Sequence, residues 1–386
     1  MKRALMYASV ASMIQQFNME NIRLLLEQGY EVDVACNMEQ GSTITPEKIE
    51  AMKQELEEMG VNVFHIPVPR KVSAVGGIVK SFRISKQLMN ERNYSLIHCH
   101  SPIGGMICRL ANRCSKGYGK TKMIYTAHGF HFYKGAPKKN WLIFYPVEWF
   151  CSRYTDVLIT INQEDYALAK TKMKSKQVLY VPGVGIDTKK FNGGPLCRQD
   201  KKIALNIDKN AVVLVSVGEL SVRKNHEVVI KALARLKNLN CQYVICGLGP
   251  LQQQLEQLIS ELHMESHVLL LGYRSDISEI LNSADAYVFP SLQEGLPVAL
   301  MEAMAAGKAV ACSKIRGNTD LIDENGGVLF DPCSVDNCTG AIQTLLRSDM
   351  QAMGEHNTNK IQLFSMETVN GIMQEIYRTA VLERSH

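Results

Sequence analysis

The chain is built of short, almost continuous apolar runs separated by helix-length amphipathic segments. In the second half the runs cover 212–217, 243–247, 268–272, 286–290 and 309–312, and the segments between them have helical spacing, as in Val228, Ile230, Leu233 and Leu236. In the first half they cover 5–8, 32–36, 63–66, 96–99, 123–126 and 157–161. A strand that is apolar at every position has both faces covered, and intervening helices supply the cover. The pattern predicts an α/β chain with two doubly wound parallel sheets. Their join is expected near Val181-Pro182-Gly183-Val184-Gly185-Ile186-Asp187, where proline and glycines follow a strand and an irregular polar stretch from Asn192 to Asn210 comes after. A plain surface loop is the competing reading of the same composition. The expected division is 1–187, 188–365 and a last helix within 366–386, whose apolar stripe (Val369, Ile372, Met373, Ile376, Tyr377) needs a surface to cover.

A length of 386 residues suits two domains, and 46% apolar with 21% charged residues suits a globular chain without disorder. Eleven cysteines are scattered, several within apolar runs and none in CxxC spacing, which points to reduced thiols in a cytoplasmic protein and to no zinc site. The start, Lys2-Arg3 before an apolar stretch to Ile14, has the charge order of a leader peptide. Ser9 and Ser12 interrupt it, however, and a helical segment and a second strand follow, so a first strand is the preferred reading. No run approaches the ~20 apolar residues of a membrane span.

Charge changes the picture. Residues 1–190 hold 26 Lys and Arg against 16 Asp and Glu, whereas the remainder holds 17 against 22. From Arg70 to Lys139 there are 14 basic residues and one acid, Glu91. Solvated lysines explain part of this; the rest suggests a face for anionic headgroups or a pyrophosphate-bearing substrate. No recognition motif accompanies it, so nucleic acid is not expected.

In a doubly wound sheet ligands bind beyond the carboxyl ends of the strands, where helix N-termini offer free N–H groups to anions. The run 286–290 leads to Ser291-Leu292-Gln293-Glu294-Gly295-Leu296-Pro297 and then to a helix through Val298, Leu300 and Met301, with Pro297 in its first turn. Glu294 and Glu302 are therefore two carboxylates eight residues apart across a strand-to-helix junction. Carboxylates accept from hydroxyls, and the N–H groups over Gly295, Leu296, Pro297 and Val298 suit phosphate oxygens; a nucleotide sugar offers both. Taken singly, Glu294 would be a helix-dipole acid and Glu302 a solvated helix residue. In the first half, Tyr125-Thr126-Ala127-His128-Gly129-Phe130-His131 follows a strand in the same way. Beyond it, both tryptophans fall in an aromatic segment, 132–150, with Lys134, Lys138 and Lys139. That segment suits a membrane interface, or a helix packed on the first sheet with Trp149 and Phe150 as core, and Pro146 argues against a long regular interfacial helix. No Asp-x-Asp occurs, and no metal or other cofactor is expected.

Glu294-x7-Glu302 in this setting, with Val217-Gly218-Glu219-Leu220, Lys224-Asn225, Gly247-Leu248-Gly249-Pro250, Gly272-Tyr273-Arg274-Ser275-Asp276, Gly185-Ile186-Asp187 and Phe191, resembles the family 4 glycosyltransferases. These are retaining enzymes of the GT-B fold, with two facing Rossmann-like domains. The resemblance implies an acceptor domain over 1–187, a nucleotide-sugar domain over 188–365 and a C-terminal helix crossing back to the first. It implies that Glu302 binds the donor ribose, Glu294 the transferred sugar, and Lys224 with Arg223 the diphosphate. Gly218, Arg274, Gly295, Leu296, Pro297 and Val298 complete the donor contacts, and His128 lies beside the reacting sugar. Glu219 stands where the family usually has arginine, which resembles the branch that builds bacterial capsules and exopolysaccharides. Small residues, Ala8-Ser9-Val10-Ala11-Ser12, replace a glycine pair in the first loop. The implied reaction is transfer from a UDP-sugar, metal-independent, to a glycan acceptor carried on a lipid diphosphate, by a protein peripheral to the inner face of the cell membrane through Lys134, Lys138 and Lys139. Two other readings stay open: a catalytically silent nucleotide-sugar-binding subunit of a polysaccharide assembly complex, motivated by Glu219, and a UDP-sugar 2-epimerase.

Overall fold

The structure is a computed structural model that describes residues 2–191, 198–205, 207–208, 210–236 and 240–382. The chain forms two compact units, Met1–Val184 with Val369–His386, and Gly185–Thr368.

The first unit holds a seven-stranded sheet in the order β3-β2-β1-β4-β5-β6-β7. Its strands are β1 (Lys2–Val10), β2 (Tyr30–Asn37), β3 (Asn62–His65), β4 (Leu96–His100), β5 (Lys122–Ala127), β6 (Val157–Thr160) and β7 (Gln177–Tyr180), all paired in parallel. The apolar start of the chain is thus the central strand. Its alternate residues serve two cores: Ala4, Met6 and Ala8 pack on one side, Leu5 and Tyr7 on the other. This is why the run is apolar throughout. Val369, Met373, Ile376 and Tyr377 of the C-terminal helix Met366–Leu382 join the core that contains Ala4 and Met6. The expected stripe therefore covers one face of the first sheet.

The second unit has six parallel strands in the order β10-β9-β8-β11-β12-β13. They are β8 (Val212–Val217), β9 (Cys241–Cys246), β10 (Val268–Gly272), β11 (Ala286–Phe289), β12 (Ala309–Ser313) and β13 (Gly327–Phe330). The strand β13 is absent from the sequence reading, and the stretch expected to be irregular contains a helix, Arg198–Ala204; the rest of that stretch lies in part outside the described residues. Among the described residues no helix is long and apolar enough to cross a membrane.

Helices Pro102–Arg113 and Lys138–Ser152 cover the other face of the first sheet, and a buried ion pair fixes them to it. Arg109 is fully buried; its Nη2 donates to Glu148 Oε2 at 2.9 Å and its Nε to Gly105 O at 2.9 Å. Its Cζ lies 3.9 Å from the centroid of the Tyr125 ring, and Tyr125 Oη donates to Glu148 Oε1 at 3.1 Å. Removing one partner strands the other charge in the core, whereas replacing both by apolar groups removes the desolvation cost together with the attraction. Arg109→Ala should destabilise the protein by about 3–5 kcal/mol. The pair Arg109→Met with Glu148→Leu should recover most of that loss, as read from urea denaturation midpoints.

Candidate active site

The donor site predicted for the second unit is built on the loops after β8 and β11. Asn225, in left-handed backbone (φ 56), turns its amide to Pro290 O at 3.2 Å and Pro332 O at 2.9 Å. Leu292 N donates to Arg223 O at 2.8 Å. These bonds hold the two loops together and bring Lys224, Arg223 and Glu294 into contact. Lys224 Nζ and Arg223 Nη1 both lie 2.8 Å from Glu294 Oε1. Lys224 is largely buried, with its ammonium 4.7 Å from the Phe289 ring centroid. Desolvation lowers its pKa, and the Glu294 charge opposes that shift. Because both cations use Oε1, Glu294 Oε2 has no hydrogen bond among the described residues. Two cations on one carboxylate also leave a net positive charge for an anion.

The backbone cradle is partly as expected. Gly218 packs where a Cβ would come within 3.2 Å of the Lys224 side chain. The N–H groups of Gly295, Leu296 and Val298 have no partner among the described residues. Pro297 corrects the sequence reading: it is the N-cap of helix Val298–Ala305 and its ring nitrogen has no hydrogen to donate, so it shapes the turn without binding an anion. Arg274, which the resemblance places among the donor contacts, has a partner of its own. Its guanidinium makes a bidentate pair with Asp276, Nε to Oδ1 at 2.8 Å and Nη2 to Oδ2 at 2.6 Å, and Lys201 joins the same carboxylate. It is occupied by a partner two residues away and does not join the Lys224 group. Arg316, missed in the sequence, is buried with its Nε 3.1 Å from Glu294 O, and Gly317 approaches Gly295 O so closely that a Cβ would sit 2.3 Å from it. Glu219 is exposed, and its charge raises the Lys224 pKa as the smallest of the contributions there.

Glu302 differs from Glu294 in every respect. It lies in helix Val298–Ala305 with no hydrogen bond or ion pair among the described residues, and desolvation pushes its pKa up to about 7, against a weaker lowering by Lys190. A desolvated carboxylate without a donor is unfavourable for folding and suits a ligand that brings hydroxyls.

In the first unit the chemistry gathers where β4 and β5 end. His98 and His100, two residues apart on one strand, point to the same sheet face, and His128 follows β5. His98 bonds Tyr377 Oη at 2.7 Å and Thr126 Oγ1 at 2.8 Å. His100 Nε2 lies 3.2 Å from Met6 Sδ, and its Nδ1 lies 3.1 Å from His128 Nε2. Burial keeps these rings neutral, with His98 lowered to about 3, His128 to about 4 and His100 well below its ordinary value. A thioether accepts but cannot donate, so His100 carries its proton on Nε2 and accepts at Nδ1. His128 then donates from Nε2 and presents a bare Nδ1, which has no partner among the described residues. The alternation in Ile97-His98-Cys99-His100 is the sequence signal that could have found this cluster. His131 stands apart from it, with its ring 4.5 Å from that of Phe144.

Lys134, Lys138 and Lys139 are all exposed. Phe150, expected in the core of its helix, is 44% exposed, as are Leu142 at 77% and Ile143 at 47%; Trp141 and Trp149 pack inward. Pro146 lies inside helix Lys138–Ser152 without ending it.

Two parallel α/β units, the second with cations, free N–H groups and a carboxylate at its strand ends, are the architecture of the GT-B glycosyltransferases. Residues 198–360 match the model of the glycosyl transferases group 1, and residues 8–162 that of the glycosyl transferase 4-like family. The glycosyltransferase EpsD of Bacillus subtilis (strain 168) is 35% identical over 84% of this chain and 82% of its own. The UDP-Gal:alpha-D-GlcNAc-diphosphoundecaprenol alpha-1,3-galactosyltransferase of Escherichia coli is 27% identical over 90% and 88%. The crystal structure of Anabaena HepE in complex with UDP and glucose superposes with a TM-score of 0.75 at 19% identity, covering 98% of this chain and 100% of that one. The chain belongs to the family 4 glycosyltransferases.

Two outcomes follow from the geometry. Above pH 7 the folded protein carries the desolvated Glu302 carboxylate, a cost that fades as pH falls and vanishes below the ordinary glutamate pKa. Glu302→Gln should therefore raise the melting temperature at pH 8, by at most about 3 kcal/mol of stability, and leave it unchanged near pH 4. For the histidines, nitrogen-15 NMR of ring-labelled protein should find His100 and His128 neutral and protonated on Nε2; an Nδ1–H form of His128 would contradict the proton placement that Met6 imposes on His100.

Proposed function

We propose that this protein transfers a sugar from a UDP-sugar, with retention and without a metal ion, to a lipid-linked glycan acceptor in bacterial capsule or exopolysaccharide synthesis. The observation that carries the reading is the group of Lys224 and Arg223 on one oxygen of Glu294. The site has a positive excess for a diphosphate and a free carboxylate oxygen for a sugar hydroxyl, beside unpaired N–H groups of a helix N-terminus. UDP and a diphosphoundecaprenol acceptor are named for the relatives above, which supports the same choice here. The relatives are transferases, which favours neither the silent subunit nor the epimerase.

In this reading the ribose hydroxyls donate to Glu302 and a hydroxyl of the transferred sugar donates to Glu294 Oε2. As the bond from the anomeric carbon to the diphosphate breaks, Lys224 and Arg223 stabilise the charge on the leaving oxygens, which is the service a divalent metal otherwise gives. The acceptor oxygen attacks from the same face, and its proton goes to the departing diphosphate. The bare Nδ1 of His128 accepts a hydrogen bond from a sugar hydroxyl. The protein works in the cytoplasm at the inner face of the membrane, with Lys134, Lys138 and Lys139 toward anionic headgroups.

The test is a thermal-shift series with nucleotide sugars followed by a transfer assay. UDP at 100 times its dissociation constant should add about 2.7 kcal/mol of stability. Lys224→Ala should lower kcat by about 10²–10³, and EDTA should leave the wild-type rate unchanged. Full transfer by Lys224→Ala would sink the site assignment.

A further inference from the structure

Two adjoining cavities in the first unit lie outside the groups considered so far. One, of about 220 Å³, is walled by Ile103, Met106, Phe130, Phe132, Phe144 and Val147. The other, of about 580 Å³, shares Ile103, His131, Phe144 and Val72 with it and adds Arg70, Lys71, Ser9, Ser73 and Ser101. One chamber is almost wholly apolar; the other sets Arg70, Lys71 and three serines among apolar walls that include Val10, Met13 and Pro69. The helix Pro102–Arg113 begins at the second chamber, and the buried Ser101 Oγ there has no hydrogen-bond partner among the described residues. Of the lining residues Val72 is 46% and Ile143 47% exposed, an apolar rim to the pair. An apolar surface of this kind, next to an apolar pocket, marks a place that is covered in use.

The shared walls and the opposed chemistry of the chambers fit a single amphiphile with an anionic head and a branched hydrocarbon tail. We propose that they form the subsite for the polyprenyl diphosphate of the acceptor lipid. The diphosphate lies among Arg70, Lys71 and the start of helix Pro102–Arg113, and the first isoprene units pack against Ile103, Met106, Phe130 and Phe132. This rests on the lipid-linked acceptor reading and adds the place where the lipid is held. His131 lines both chambers and Gly129 the apolar one, so the subsite adjoins the loop that carries His128. The exposed Lys138 and Lys139 begin helix Lys138–Ser152, whose apolar residues Leu142 and Ile143 then continue the tail's path toward a membrane.

Both tryptophans, Trp141 and Trp149, belong to that helix, and Trp141 lies 5.6 Å from the ring of Phe132, so the protein's own fluorescence reports on the pocket. Farnesyl diphosphate, titrated below its micelle concentration, should give a saturable change in that fluorescence. Inorganic diphosphate and farnesol should each bind at least tenfold more weakly. Val147→Glu and Ile143→Glu place a carboxylate at the partly exposed mouth, where folding tolerates it. Each should weaken farnesyl diphosphate at least tenfold while leaving the melting temperature and UDP-induced stabilisation unchanged. Arg70→Ala with Lys71→Ala should bring farnesyl diphosphate down to the affinity of farnesol. No saturable binding, binding indifferent to these substitutions, or a dimer that buries the rim in the absence of lipid would each overturn the subsite, even if butanol-extractable lipid acceptors are glycosylated. Farnesyl diphosphate binding as expected, with transfer only to water-soluble acceptors, would instead overturn the lipid-acceptor reading and with it the role given to the subsite.

Discussion

Every strand pair in both sheets is parallel, and this constraint places the chemistry. In a parallel sheet all carboxyl ends share one edge, and each connection must return by a helix whose N-terminus opens at that edge. His100 and His128 follow from the ends of β4 and β5; Lys224, Glu294 and Arg316 follow from β8, β11 and β12. Residues far apart in sequence meet there without any local signal that pairs them. Lys224 and Glu294 are 70 positions apart and 2.8 Å apart in space.

What the sequence made legible was what the parallel rule controls. Strands buried on both faces read as continuous apolar runs, and nearly all were found within a residue or two. The strand Gly327–Phe330 escaped because its two middle residues are only partly buried and Gly326-Gly327 reads as a turn. The missed site features are those that depend on a partner. Arg274 closes its fork on Asp276, and Phe150, core in one of the two readings of its segment, is 44% exposed. His98 and His100 passed as strand residues because histidine in a buried strand gives no sign of what it faces. Pro297 was an error of chemistry more than of structure, since a proline cannot be an N–H donor wherever it lies.

The two glutamates show how environment divides one residue type between two tasks. Glu294 carries two cations on a single oxygen and leaves the other oxygen for a ligand. Glu302 is desolvated with only a weak opposing charge, and its proton is held to about pH 7. Neither arrangement maximises the stability of the empty protein. Both become favourable when a ligand supplies hydroxyl donors to the carboxylates and phosphate oxygens to the cations, which is the distribution of groups on a nucleotide sugar.

The basic excess between Arg70 and Lys139 also separates once its partners are known. Arg92 is tied to Asp33 and Glu31, and Arg109 to Glu148. Arg113 lies over the rings of Tyr118 and Tyr154, and Lys122 is buried. Of these, Arg92, Arg109 and Lys122 are held within the fold. Lys71, Lys80, Lys134, Lys138 and Lys139 are exposed, and three of them belong to the segment that also exposes Leu142, Ile143 and Phe150. A solvated surface needs charge but has no use for neighbouring bare leucine and phenylalanine, whereas an anionic bilayer uses both, taking the ammonium groups at headgroup depth and the apolar side chains just below. Arg70, Arg83, Lys116 and Lys120 are exposed as well, so the exposed cations extend beyond the segment that also bares apolar side chains.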